Sequence, residues 1–211
     1  MIRRIALCLV LLPAPLAAHP HIFVDTGLRL EVDAAGVLQA VEVTWAYDEF
    51  YSMLIFEDQG LDRDFDGRLT APEVAQLEGF DLNWSEGYQG DLYLSSGDQA
   101  IPLGAPEGLS TEVADGVITT RHRRAVAAQG PVPAAGLTLR AYDPTYYTAY
   151  ELTGGVEVSG RCTATVTRPD LDQAYTLVEE LLYAMPADQA EESYPEVGRA
   201  FATTVSLDCE G

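Results

Sequence analysis

The chain has 211 residues, with 33 Asp plus Glu against 12 Lys plus Arg and a formal net charge of −21; every base is an arginine. Such a field repels phosphate backbones and anionic lipid, so it argues against nucleic-acid binding and membrane-surface adsorption and favours metal ions or basic partners. A hydrophobic content of 47% excludes a disordered acidic tail and leaves one substantial domain.

The first residues read as an address. Arg3 and Arg4 form a basic start, Ile5 to Leu12 an apolar run, and Leu16-Ala17-Ala18 a cleavage site. A signal peptide is therefore expected over 1–18, with a single mature periplasmic domain over 19–211. No later stretch is long and apolar enough to span a bilayer. Cys8 leaves with the leader, so Cys162 and Cys209 remain, and in an oxidising compartment an even pair is most simply a disulfide. A two-thiolate metal site finds no neighbouring His or CxxC.

Strands come first. Ile22, Val24, Leu28, Leu30 and Val32 alternate with polar residues, and Val37, Val41, Val43 and Trp45 return after the Asp33–Gly36 turn. Asp48 is placed to cap a helix whose Phe50, Tyr51, Leu54 and Ile55 share a face, ended by Gly60. Strand patterns resume at Leu92–Leu94, Gly116–Thr120, Leu137–Tyr142 and Tyr146–Leu152, then at Val156–Thr167 and Ala202–Cys209. Asp170 opens a second helix, with Ala174, Leu177, Val178, Leu181 and Leu182 on its apolar face and Pro186 as its stop. Residues 187–199 read as loop. The expected class is α+β: an antiparallel sheet or sandwich, an EF-hand-like helix–loop–helix insert over 48–80, and one late helix.

The sharpest motif lies in that insert. Asp62-Arg63-Asp64-Phe65-Asp66-Gly67-Arg68-Leu69-Thr70-Ala71-Pro72-Glu73 fills the twelve positions of an EF-hand loop. Asp62, Asp64 and Asp66 take positions one, three and five, and Gly67 the sharp turn at six. Arg68 supplies a backbone carbonyl at seven, Thr70 stands at nine, and Glu73 is the bidentate ligand at twelve. Many hard oxygens on a flexible loop suit Ca2+. Gly60 interrupts the entering helix just before the loop, and the loop has no partner loop, so a structural site fits better than a cooperative sensor.

A second candidate is His19-Pro20-His21. Cleavage after Ala18 frees an α-amine beside the His19 imidazole, a chelate for Ni2+, Co2+, Zn2+ or Cu2+, with His21 close enough to join. Pro20 excludes the amino-terminal chelate that needs a deprotonated amide at position two. A brace closed by His21 or His122 would resemble a copper enzyme. His122 sits in Arg121-His122-Arg123-Arg124, a basic run that reads as a strand-end cluster balancing carboxylates or contacting a partner. No Ser/His/Asp set is apparent, and the cysteines are spoken for, so no enzyme is expected.

Three segments carry a family resemblance: His19-Pro20-His21-Ile22-Phe23-Val24-Asp25, Tyr47-Asp48-Glu49-Phe50-Tyr51-Ser52 ahead of the acidic loop, and Tyr142-Asp143-Pro144-Thr145-Tyr146-Tyr147. Together they resemble the bacterial periplasmic family called domain of unknown function one-thousand-seven. That resemblance implies a periplasmic component of an uncharacterised ABC-type transport system, often encoded beside NicO-like nickel/cobalt permeases, and so a membrane transporter as partner. The expected function is a periplasmic metal-handling accessory with a structural calcium site. Its alternatives are a calcium-stabilised protein-interaction module and an N-terminal-His copper enzyme.

Overall fold

The computed structural model describes residues 20–186 and 194–210; the leader over 1–18 and His19 lie outside the described residues. Strand β1 (Ile22–Val32) buries Val24, Leu28, Leu30 and Val32 while Asp25 and Arg29 face water, and it runs into β2 (Leu38–Tyr47) as an antiparallel pair. The insert follows as helices α1 (Glu49–Gln59) and α2 (Ala71–Gln76) around the acidic loop. Next come β3 (Leu92–Ser96), β4 (Gln99–Ile101), β5 (Leu103–Ala114), β6 (Val117–Val126), β7 (Leu137–Ala141), β8 (Thr148–Glu151), β9 (Val156–Val158) and β10 (Cys162–Thr167). Helix α3 (Leu171–Tyr183), a helical turn α4 (Gly198–Phe201) and β11 (Thr204–Cys209) complete the described chain.

The strands form two sheets. One has the order β5-β6-β2-β1-β8, with β9 also on β1; the other is β10-β11-β7-β3-β4. Their inner faces share one core, in which Leu30, Val41, Val43 and Ile118 of the first sheet meet Leu94, Leu137, Leu139 and Val205 of the second. None of these eight exceeds 2% exposure.

The expectation of a purely antiparallel sheet is corrected at β1. Ile22–Asp25 pairs in parallel with β8, and Leu28–Leu30 in parallel with β9. Both partners arrive more than a hundred residues later, by a crossover that no local pattern encodes. Between them the chain turns at Leu152–Gly154, pressed so close that a Cβ on Gly154 would sit 2.9 Å from the Gly27 Cα. The expected single strand over Val156–Thr167 is likewise two strands in different sheets, broken at Gly160, which adopts a left-handed φ of 80°.

The Cys162–Cys209 disulfide is present, joining residues directly opposite one another on β10 and β11 across a sequence separation of 47. It ties the C-terminal strand to an edge strand. Asp170 caps α3 by accepting a hydrogen bond from the Gln173 N–H at 3.1 Å. Of the face expected for that helix, Ala174 is buried and Leu177 is exposed. Of the loop expected over 187–199, residues 187–193 lie outside the described residues, and 198–199 belong to the helical turn Gly198–Phe201, because Phe201 packs with Val197 and Ala174 and stacks on Tyr146 at 3.8 Å.

Candidate functional site

The acidic loop is held at both ends. Helix α1 begins with the Asp48 carboxylate accepting the Tyr51 N–H at 2.8 Å. It ends in a Schellman turn: Gly60 is left-handed, its N–H reaches the Glu57 carbonyl at 3.1 Å, and the Leu61 N–H reaches Phe56 at 2.8 Å. Leu61 is then buried in the core, fixing the loop's start. Inside the loop, Asp62 accepts the Asp66 N–H at 3.0 Å and the Gly67 N–H at 3.1 Å, and Asp66 accepts the Arg68 N–H at 2.9 Å. Gly67 supplies the left-handed turn at φ 72°.

These bonds gather Asp62, Asp64 and Asp66 so that one carboxylate oxygen from each lies within 4.8 Å of the others. No other such group of His, Cys, Asp or Glu occurs among the described residues. Glu73 is outside that group of three, though the Asp62 backbone and Arg63 are among the groups that act on its carboxylate. It is the third residue of α2, and its carboxylate accepts the Thr70 N–H at 2.8 Å and the Thr70 hydroxyl at 2.7 Å, a capping box. Those bonds hold the Glu73 carboxyl below its ordinary range. A bidentate ligand role requires Glu73 to let go of Thr70.

The histidines do not meet. His21 is exposed, its ring 4.8 Å from that of Tyr147, and its backbone N–H donates to the Tyr147 carbonyl at 2.8 Å. His122 lies in mid-strand, paired with Val43, which also pairs with Leu28. It is thus level with a residue seven positions from His21 along β1, about 23 Å of extended chain. His21 and His122 cannot share one ion, and His19, on which the expected brace rests, lies outside the described residues.

The basic run 121–124 is not a strand end. The pleat of β6 splits it: Arg121 and Arg123 face outward onto Glu42 and Glu31, forming a ladder with Arg29 and Glu107. His122 and Arg124 face inward, at 0% and 2% exposure. Among the described residues neither ring nitrogen of His122 has a hydrogen-bond partner, and its ring packs against Trp45 at 4.6 Å and Trp84 at 5.7 Å. Burial, aided by the neighbouring Arg124 charge, pushes the His122 imidazole down to about 4.

In front of those tryptophans opens a cleft of about 380 Å³. Trp45 and Tyr47 of β2, Tyr51 of α1 and Tyr150 of β8 make one part of its wall; Asp81, Trp84 and Tyr88 come from the chain after α2. Asp81 accepts the Tyr47 hydroxyl at 2.9 Å and the Thr120 hydroxyl at 2.6 Å through Oδ2, while Oδ1 is buried without a partner among the described residues. Asp91 accepts the Tyr150 hydroxyl at 2.9 Å and is pushed up to about 6 by burial, against the pull of hydrogen bonds from Tyr88 and Tyr150. The three resemblance segments converge here, through Ile22, Tyr47 with Tyr51, and Asp143 with Pro144. Sequence reading singled out those segments but missed Asp81, Trp84, Asp91 and Tyr150. Their linear signal is a lone aromatic or carboxylate with no periodic partner.

Comparison with curated proteins gives no match. Among solved structures, the acetylcholine-binding protein type 1 of Biomphalaria glabrata is similar at 13% identity and a TM-score of 0.34, with 94% of this chain and 91% of that one covered. A likeness that distant supports no statement about fold or ligand. The model of the family described as protein of unknown function (DUF1007) matches residues 4–209, nearly the whole length, and the chain belongs to that family.

Proposed function

We propose that the chain is an exported metal-handling accessory protein with a calcium loop over Asp62–Glu73, acting in the periplasm beside a membrane transporter of Ni2+, Co2+, Zn2+ or Cu2+. The observation that carries the calcium part is the convergence of Asp62, Asp64 and Asp66 on a loop whose Gly67 turn and Thr70 helix cap stand where an EF-hand-like loop needs them. The donor set fits the ion: hard oxygens only, with Glu73 three residues beyond Thr70 and able to complete the shell. Asp62 is 8% exposed and already oriented by backbone N–H groups, which lowers the ordering cost of binding. The disulfide and the acidic charge support an exported, cation-facing protein. No helix among the described residues is long and apolar enough to cross a membrane, so the transporter is a separate chain in this reading.

The transition-metal part rests on the free amine of His19 with His21, and needs cleavage after Ala18. Calorimetry tests both parts. Ca2+ should bind the processed protein, and Glu73→Gln should weaken it while Arg68→Ala, which offers only a carbonyl, leaves it intact. Ni2+ or Cu2+ should bind the form starting at His19 more tightly than a form keeping one residue before it. Equal affinity in the two forms removes the transition-metal role. What then stands is a calcium-stabilised protein-interaction module, the second reading, which the exposed Phe50 and Met53 on α1 favour.

A further inference from the structure

The cleft in front of Trp45 and Trp84 is built unlike the calcium loop. Its carboxylates, Asp81, Asp91 and Asp143, do not converge on a point as Asp62, Asp64 and Asp66 do. They are separated by aromatic rings, and a strongly hydrated metal ion gains little from such a wall. A bulky, weakly hydrated cation gains from both, through ring faces and through N–H donors to carboxylate oxygens.

The acids also lack cations of their own. Among the described residues no arginine forms an ion pair with Asp81, Asp91 or Asp143; every salt bridge lies on the outer face of the first sheet. Oδ1 of Asp81 is buried with no partner among the described residues, so this carboxylate at the cleft wall is under-satisfied. The same wall already accepts a guanidinium. Arg124 lies over the Trp84 ring at 4.9 Å and gives its N–H groups to the carbonyls of Gly104, Gln89 and Leu103, leaving the carboxylates unmatched.

We infer that the cleft between Trp45, Tyr47, Trp84 and Tyr150 binds an organic cation bearing N–H donors, an amine or a guanidinium. The carboxylates of Asp81 and Asp91 take the N–H groups, and the aromatic rings take the alkyl stem and the spread charge. The site is independent of the metal sites proposed above.

The chain has 2 tryptophans and both line the cleft, so intrinsic fluorescence reports on it directly. The full disulfide-bonded protein is titrated with agmatine, with butylamine, with uncharged 1-butanol and with tetramethylammonium, which lacks N–H groups. Agmatine should give a saturable change with a midpoint below about 10 mM, and 1-butanol none. Tetramethylammonium should bind more weakly than butylamine. Asp81→Asn and Asp91→Asn should each weaken agmatine about ten-fold or more, the worth of a hydrogen bond to a charged group. Glu179→Gln on the far helix α3 should not. Should Asp81→Asn fail to fold by circular dichroism, Asp91→Asn carries the same test. A Gly-Arg-Gly peptide distinguishes the source: tighter agmatine marks a free amine as ligand, and tighter peptide an arginine presented by a protein. A response that fails to saturate, or that is equal in Asp91→Asn and the unaltered protein, overturns the inference. So does a fluorescence change driven by Ca2+ and not by agmatine in an Asp62→Asn, Asp64→Asn protein, which would make the cleft a metal site.

Discussion

Replacing Asp91 with Asn should change how stability depends on pH, because two buried groups titrate in the same window with opposite sign. The Asp91 carboxyl, 6% exposed, is raised from 3.8 to about 6, chiefly by burial. The folded protein therefore holds a proton that the unfolded chain releases, so this stabilisation is complete below about 3.8 and is lost as pH rises through about 6. His122, 0% exposed, is lowered from 6.5 to about 4, again chiefly by burial. Its stabilisation is complete above about 6.5 and is lost as pH falls through about 4. At roughly 1.4 kcal/mol for each tenfold change in proton affinity, each ramp spans about 3 kcal/mol, and between pH 7 and pH 4 they nearly cancel. Urea unfolding followed by tryptophan fluorescence at pH 7, 6, 5 and 4 separates them. The stability of the unaltered protein minus that of Asp91→Asn should grow by about 2 kcal/mol as pH falls from 7 to 4. The same difference against His122→Leu should shrink by about as much. Acid-sensitive ion pairs such as Glu31–Arg123 occur in every variant and drop out of both differences. Flat difference curves would refute the account of both groups as shifted by burial.

Other outcomes can be checked separately. Reducing Cys162–Cys209, or replacing both cysteines with Ser, should lower unfolding stability by roughly 3–4 kcal/mol, read from urea midpoints at unchanged slope. Gly198→Ala should destabilise by about 1–3 kcal/mol or more, since its Cβ would fall 1.7 Å from the Asp143 carbonyl oxygen; an unchanged melting temperature would show that the Asp143–Pro144 turn is not packed there. Ca2+ should raise the melting temperature of the unaltered protein and not that of an Asp62→Asn, Asp64→Asn protein, because an ion bound only to the native state stabilises it by mass action.

Much of the local structure was legible in the linear chain, because its signals are short-range. The alternation from Ile22 to Val32, the caps at Asp48, Gly60 and Asp170, and the Asp/Gly order of the loop each act over a few residues, and the folded chain keeps them. The pairing of Cys162 with Cys209 was legible for another reason: only two cysteines remain once Cys8 is assigned to the leader.

What the tertiary structure decided is the long-range part. Whether β1 takes antiparallel or parallel neighbours depends on which late strand reaches its open edge, a choice set by crossover geometry and not by the residues of β1. The pleat of β6 turned a run of four basic residues into two surface ion-pair formers, Arg121 and Arg123, and two buried side chains, His122 and Arg124, because alternate side chains of one strand face opposite environments. The acidic–aromatic cleft exists only where Ile22, Tyr47, Asp81, Asp91, Asp143 and Tyr150 are brought together by the packing of two sheets and an insert. Spacing along a chain records contacts made within a turn or a hairpin, and a site assembled from four separate stretches leaves no period for it to record.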